Sequence, residues 1–165
     1  MNYRSQRHVL SFLVSLWLVA LVLFPVALVH AQTRIRIQKL DDPGSAIERR
    51  ETQAVALAVL SEFDATDYGA VWARTSTYLR SLISHSDWPK AISAYRGGME
   101  KLRERTFDSF GFSDTLDGAP PARYALLMYR SNFGEQKVRE KIVLVLEDGE
   151  WKLAGYFVRR PIGKH

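Results

Sequence analysis

The chain has 165 residues, no cysteine and a formal charge of +5. This length is enough for one domain with a real core, and the lack of cysteine excludes disulfides, thiolate chemistry and acylation at a lipobox cysteine. So mild a charge excess singles out no class of partner.

The first segment, MNYRSQRHVLSFLVSLWLVALVLFPVALVHA, has the layout of a Sec signal peptide. Arg4 and Arg7 form a positive n-region, Val9 to Leu28 is almost wholly apolar, and Pro25 breaks the run shortly before Val29-His30-Ala31. Cleavage after Ala31 is expected. The alternative is an uncleaved anchor in the inner membrane, because the apolar run approaches the ~20 residues that span a bilayer. Arg34, Arg36 and Lys39 beyond the run balance Arg4 and Arg7, so flanking charge does not choose between the two. With the N-terminus inside, both readings export the domain to the periplasm or beyond.

Residues 32–44 read as a linker that ends in Asp-Asp-Pro-Gly. The domain is expected over 45–160, followed by a short basic tail, 161–165. Ser45 with Glu48 three residues on is a capping box that opens the first helix. Its run of Ala54, Val55, Leu57, Ala58, Val59 and Leu60 is broad enough to lie buried across something flat. Asp64-Ala65-Thr66-Asp67 ends it. Two short helical pieces follow, Tyr68 to about Arg74 and around Tyr78 to Ile83, and then a longer helix with Ser86 as its N-cap and Pro89 in its first turn.

From Leu102 the hydrophobic period changes from helical to alternating. Arg103 to Ser113 carries a weak strand pattern, since Phe107 and the Phe110/Phe112 pair fall on opposite faces. Tyr124 to Phe133 is a strand without ambiguity, Gly134 to Lys137 is a short turn, and EKIVLVLEDGEWKLAGYFVRR is a hairpin. Asp148-Gly149 suits a type I′ turn, and that sets Leu146 opposite Trp151, Leu144 opposite Leu153, Ile142 opposite Gly155 and Glu140 opposite Phe157. Glu140 then shares a face with Ile142, Leu144, Leu146, Trp151, Leu153 and Phe157. Helices first and antiparallel strands afterwards predict an α+β domain with the helices on one face of a curved sheet of about four strands.

An acid on an apolar face has two explanations. Glu140 sits at the sheet rim and pairs with Arg130 or Arg159, or it is a desolvated carboxylate in a cavity and a candidate base. Asp108 is the second candidate base, with a nearby tyrosine as polarising donor. Other chemistry is poorly supplied. Gly111-Phe112-Ser113-Asp114 lacks the closing glycine of a nucleophile elbow, and His85 is expected in an exposed turn. With one internal histidine and no spaced carboxylate cluster, neither a metal site nor a cofactor is expected. Arg103, Arg105, Arg139, Lys141, Lys152 and Arg159 are offset by Glu100, Glu104, Glu135, Glu140 and Glu150 and read as a solvated strand face, with anionic headgroups or cell-wall polymers at the Arg159-Arg160 and Lys164 end as the functional alternative; export makes a nucleic-acid partner unexpected. Trp72, Trp88, Trp151, Phe63 and Tyr95, or Tyr124, Tyr129 and Phe157 on the strands, are candidates to line a ligand cavity.

The stretches DYGAVWARTSTYLRSLISHSDW, LDGAPPARYALLMYRSNF and VREKIVLVLEDGEWKLAGYFVRR resemble the bacterial DUF4019 family, a domain of unknown function, over Ala54 to Arg159. Asp67-Tyr68 with Trp72, Gly118-Ala119-Pro120 before Tyr124, Glu140, and Trp151 to Arg159 carry the resemblance. It implies export and a cystatin-like, nuclear-transport-factor-like fold, and it brings no established activity. The leading expectation is therefore a non-enzymatic envelope domain that binds a small apolar ligand or a protein. An isomerase- or dehydratase-type enzyme and a homodimer formed through the exposed sheet face are the alternatives.

Overall fold

The computed structural model describes residues 42–160. The expected signal segment and its cleavage site, nearly all of the linker, and the basic tail lie outside the described residues. Four helices, α1 (Ala46–Asp64), α2 (Tyr68–Ala73), α3 (Thr77–Leu82) and α4 (Trp88–Arg96), precede four strands, β1 (Leu102–Ser113), β2 (Tyr124–Phe133), β3 (Gln136–Glu147) and β4 (Glu150–Arg159). The strands form one open antiparallel sheet in the order β1-β2-β3-β4. The protein is an α+β domain, as the order of elements predicted. No helix among the described residues is long and apolar enough to cross a membrane.

The capping box forms as expected: the Glu48 amide donates to Ser45 Oγ, and the Ser45 amide donates to the Glu48 carboxylate. In α1 one stripe is buried, Thr52, Ala56, Val59, Leu60 and Phe63. Leu57 faces away and is 48% exposed, so the helix covers the sheet with a single face rather than lying submerged. The N-cap of α4 is Asp87 rather than Ser86. The Asp87 amide donates instead to Ser84 Oγ and Ser84 O, which form the turn ahead of the helix.

Two bulges decide which side chains reach the core. In β1 the register shifts between Phe107, opposite Tyr129, and Ser109, opposite Met128. Asp108 is the extra residue, and Phe107, Phe110 and Phe112 all come to the helix side as a result. In β4, Leu153 lies opposite Leu144 and Gly155 opposite Val143, which leaves Ala154 as the extra residue. The turn itself is as expected, with φ of 53° at Asp148 and 80° at Gly149. Beyond the bulge, however, Glu140 lies opposite Val158, and Lys141 lies opposite Phe157. Phe157 is therefore on the outer face; Val158 takes the place opposite Glu140 that a regular hairpin would give to Phe157, and Tyr156 takes the core place opposite Ile142 that it would give to Gly155.

The main core lies between the helices and the sheet and includes Phe63, Trp88, Leu127, Tyr129, Ile142, Leu144, Leu153 and Tyr156. A smaller apolar cluster lies on the outer face, where Tyr124, Leu126, Val143, Val145 and Ala154 are covered by Tyr78, Leu116, Ala119 and Ala122.

Candidate functional site

Glu140 has no exposed surface. Strand pairing places it beside Tyr129 on β2, with Ser131 two residues along the same strand on the same face. Its Oε1 accepts from the Tyr156 hydroxyl at 2.6 Å and lies 3.6 Å from Arg96 Nη1. Its Oε2 accepts from Arg105 Nε at 2.8 Å and from the Ser131 hydroxyl. Arg105, on β1, continues to Asp64 at the end of α1, with Nη1 to Oδ2 at 2.6 Å and Nη2 to Oδ1 at 3.1 Å. Arg96, at the end of α4, donates through Nη2 to Asp64 Oδ1 at 2.8 Å and through Nη1 to the Tyr156 hydroxyl at 2.6 Å.

Two carboxylates and two guanidinium groups thus neutralise each other inside the domain, and the cluster ties α1, α4, β1, β2, β3 and β4 together. Phe63 stacks on Tyr156 at 4.5 Å, and the Arg96 guanidinium packs over Phe63 and Phe133 at 5.4 and 5.3 Å. Burial and the neighbouring Glu140 carboxylate hold the Tyr156 phenol well above the usual tyrosine range, so it stays a donor. Both oxygens of Glu140 are occupied, and aromatic rings close the space beside them. The arrangement suits a structural network; a base in proton transfer must reach the proton it removes.

The expected partners of Glu140, Arg130 and Arg159, are on the opposite face of the sheet. The partners that it does have were hidden in plain residues. Asp64 read as a helix stop and Arg105 as a surface cation, although its side chain is only 10% exposed. Arg105 lies two residues from Phe107 on the core face of its strand, so both strands carry an unlike charge on an apolar face, and that was the available signal.

The remaining candidates are dispersed. Asp108 projects from its bulge to Arg130 at 2.9 Å. Trp72 packs among Trp88, His85 and Arg80, with His85 itself exposed. Trp151 meets Phe112 edge-on at 6.0 Å. Tyr129 is buried on the core face, its hydroxyl has no hydrogen-bond partner among the described residues, and burial pushes it up to about 12. Tyr124 is on the other face and donates to Pro120 O at 2.6 Å. Phe157 is 37% exposed there, with Lys141 Nζ 4.4 Å from its ring centre.

The outer face carries a second constellation. Thr106 pairs with Arg130, Arg130 with Arg139, and Arg139 with Arg159, so three arginines stand side by side across β2, β3 and β4. They line an open groove of about 840 Å³ together with Lys137, Thr106 and Glu104. Within the groove four cations face one carboxylate.

The family described as protein of unknown function DUF4019 matches residues 55–156, more than half of the chain. The chain belongs to the DUF4019 family. Comparison with curated proteins and with solved structures found no match. The matched span of this DUF4019 domain holds Asp64, Arg96, Arg105, Ser131, Glu140 and Tyr156, as well as Arg130 and Arg139; Arg159 follows it by three positions.

Proposed function

We propose that this DUF4019 domain is an exported, non-enzymatic binding module of the envelope, and that its binding surface is the outer face of the sheet. The observation that carries this reading is the contrast between the two constellations: Glu140, the first candidate base, is sealed and neutralised together with Asp64 by Arg96 and Arg105, whereas the unbalanced cations open outward. Export rests on the N-terminal sequence alone. An apolar ligand between helices and sheet would have to displace Phe63, Tyr156 and Phe133, which already pack with Arg96. A homodimer through the outer face would bring two arginine rows together, and like charges in register repel.

A photo-crosslinking residue placed at Lys137 in the groove, with a control at Leu57 on the outward face of α1, tests the reading in cells that export the protein. A discrete adduct on intact-mass analysis from the groove position alone is the expected result. Equal labelling at both positions, or none at either, would remove the outer face as a binding surface.

A further inference from the structure

We propose that the Arg130–Arg139–Arg159 row binds a ligand that carries two or more phosphate groups. This inference rests on the reading of the outer face as the binding surface and adds the chemistry of what it holds.

Adjacent strands lie about 4.8 Å apart, so the three arginines stand within roughly 10 Å of each other, directly opposed across the ladder. Like charges in such pairs destabilise a sheet unless something compensates them. Asp108 compensates Arg130 in part. Among the described residues, no carboxylate lies within ion-pair distance of Arg139, Arg159 or Lys137. Glu104, the acid that lines the groove, is engaged by Asn132 Nδ2 at 3.2 Å and by the Thr106 hydroxyl at 3.5 Å. The outer face is thus built with an excess of positive charge that an anion completes.

The residue type and the shape narrow the anion. Guanidinium groups offer planar, paired donors that match oxyanions, and phosphate supplies more charge and more acceptor oxygens per group than a carboxylate does. Three guanidinium groups in so short a row call for that density, whereas an acidic peptide spreads its charges along an extended chain. The groove lining contains no aromatic residue, so single-stranded nucleic acid would find no platform for its bases. The volume of about 840 Å³ suits a compact molecule held in a concavity more than a flat bilayer surface.

The probe is inorganic tripolyphosphate, titrated calorimetrically into the purified protein, with hexaglutamate, oligothymidylate and phosphatidylglycerol vesicles as parallel arms. Saturable one-to-one binding of tripolyphosphate is expected, weakened about tenfold or more by Arg139→Gln with Arg159→Gln. The same double variant should unfold at an equal or higher temperature, because it relieves repulsion. Arg139→Lys, which keeps the charge and loses the paired donors, should fall in between. Absence of saturable binding, or binding indifferent to these substitutions, overturns the proposal. Tighter binding of hexaglutamate, oligothymidylate or vesicles through the same arginines overturns the phosphate assignment while leaving the outer face as the binding surface.

Discussion

Glu140 makes four polar interactions in a space without water access, and each can be tested by removing one group. Glu140→Gln keeps the shape but leaves Arg96 and Arg105 with only Asp64 as a negative partner. Breaking a buried pair by removing one member costs about 3 kcal/mol or more, so the urea midpoint should fall accordingly. A gain in stability would point to a strained carboxylate kept for chemistry. Two tyrosines make a matched comparison. Tyr156→Phe removes the hydroxyl that links Arg96 to Glu140 and should cost about 1–3 kcal/mol, whereas Tyr129→Phe removes a buried hydroxyl with no described partner and should be neutral or stabilising. Equal losses in the two variants would contradict the assignment of the network. At this scale the sequence showed that Glu140 was on the apolar face, but not what met it. Arg96 and Asp64 are helix-end residues whose meeting point depends on how α1 and α4 cross the sheet, and no local pattern encodes that.

The elements themselves were largely legible because each has a local physical cause. Ser45 and Glu48 cap α1, Asp148-Gly149 turns the hairpin, and the apolar run of Tyr124 to Tyr129 between turn-forming stretches declares a strand. The bulges were not legible. Asp108 and Ala154 each break the alternation of their strand, and the reward lies across the sheet: the first brings Phe107 to Tyr129, the second brings Tyr156 to Glu140. A further element-level feature is the clasp around Arg123, which donates to Asp42 at 2.6 Å, Glu48 at 2.9 Å and Asp114 at 3.3 Å. It ties the entry to α1 to the start of β2. Hydrogen bonds from Arg123 and from the Ser45 amide hold the Glu48 carboxyl at about 2, below its ordinary 4.5. A depressed folded-state value means that this stabilisation is complete above pH 4.5 and is lost as the pH falls toward 2. Arg123→Met should therefore flatten the fall in stability across that window, as read from urea midpoints at a series of pH values. An acid limb that keeps the wild-type slope would contradict the clasp.

For the whole molecule, the sheet divides two kinds of charge. The inner face spends its charges on one another and fixes how the helices sit. The outer face is apolar where the 114–123 connection covers it and cationic where nothing among the described residues does. The sequence contained every member of the arginine row, yet in the regular hairpin register Arg139 faces Val158. Only the bulge at Ala154 aligns Arg139 with Arg159 and so completes the row with Arg130. The two halves of this account make separable claims, and one measurement addresses both: the tripolyphosphate affinity of Glu140→Gln, taken where that variant is still folded, beside that of Arg139→Gln with Arg159→Gln. The account predicts a Glu140→Gln protein that is less stable yet binds as the unmodified protein does, and an arginine variant that is at least as stable yet binds about tenfold more weakly or worse. A Glu140→Gln protein of undiminished stability that has lost the ligand would contradict it.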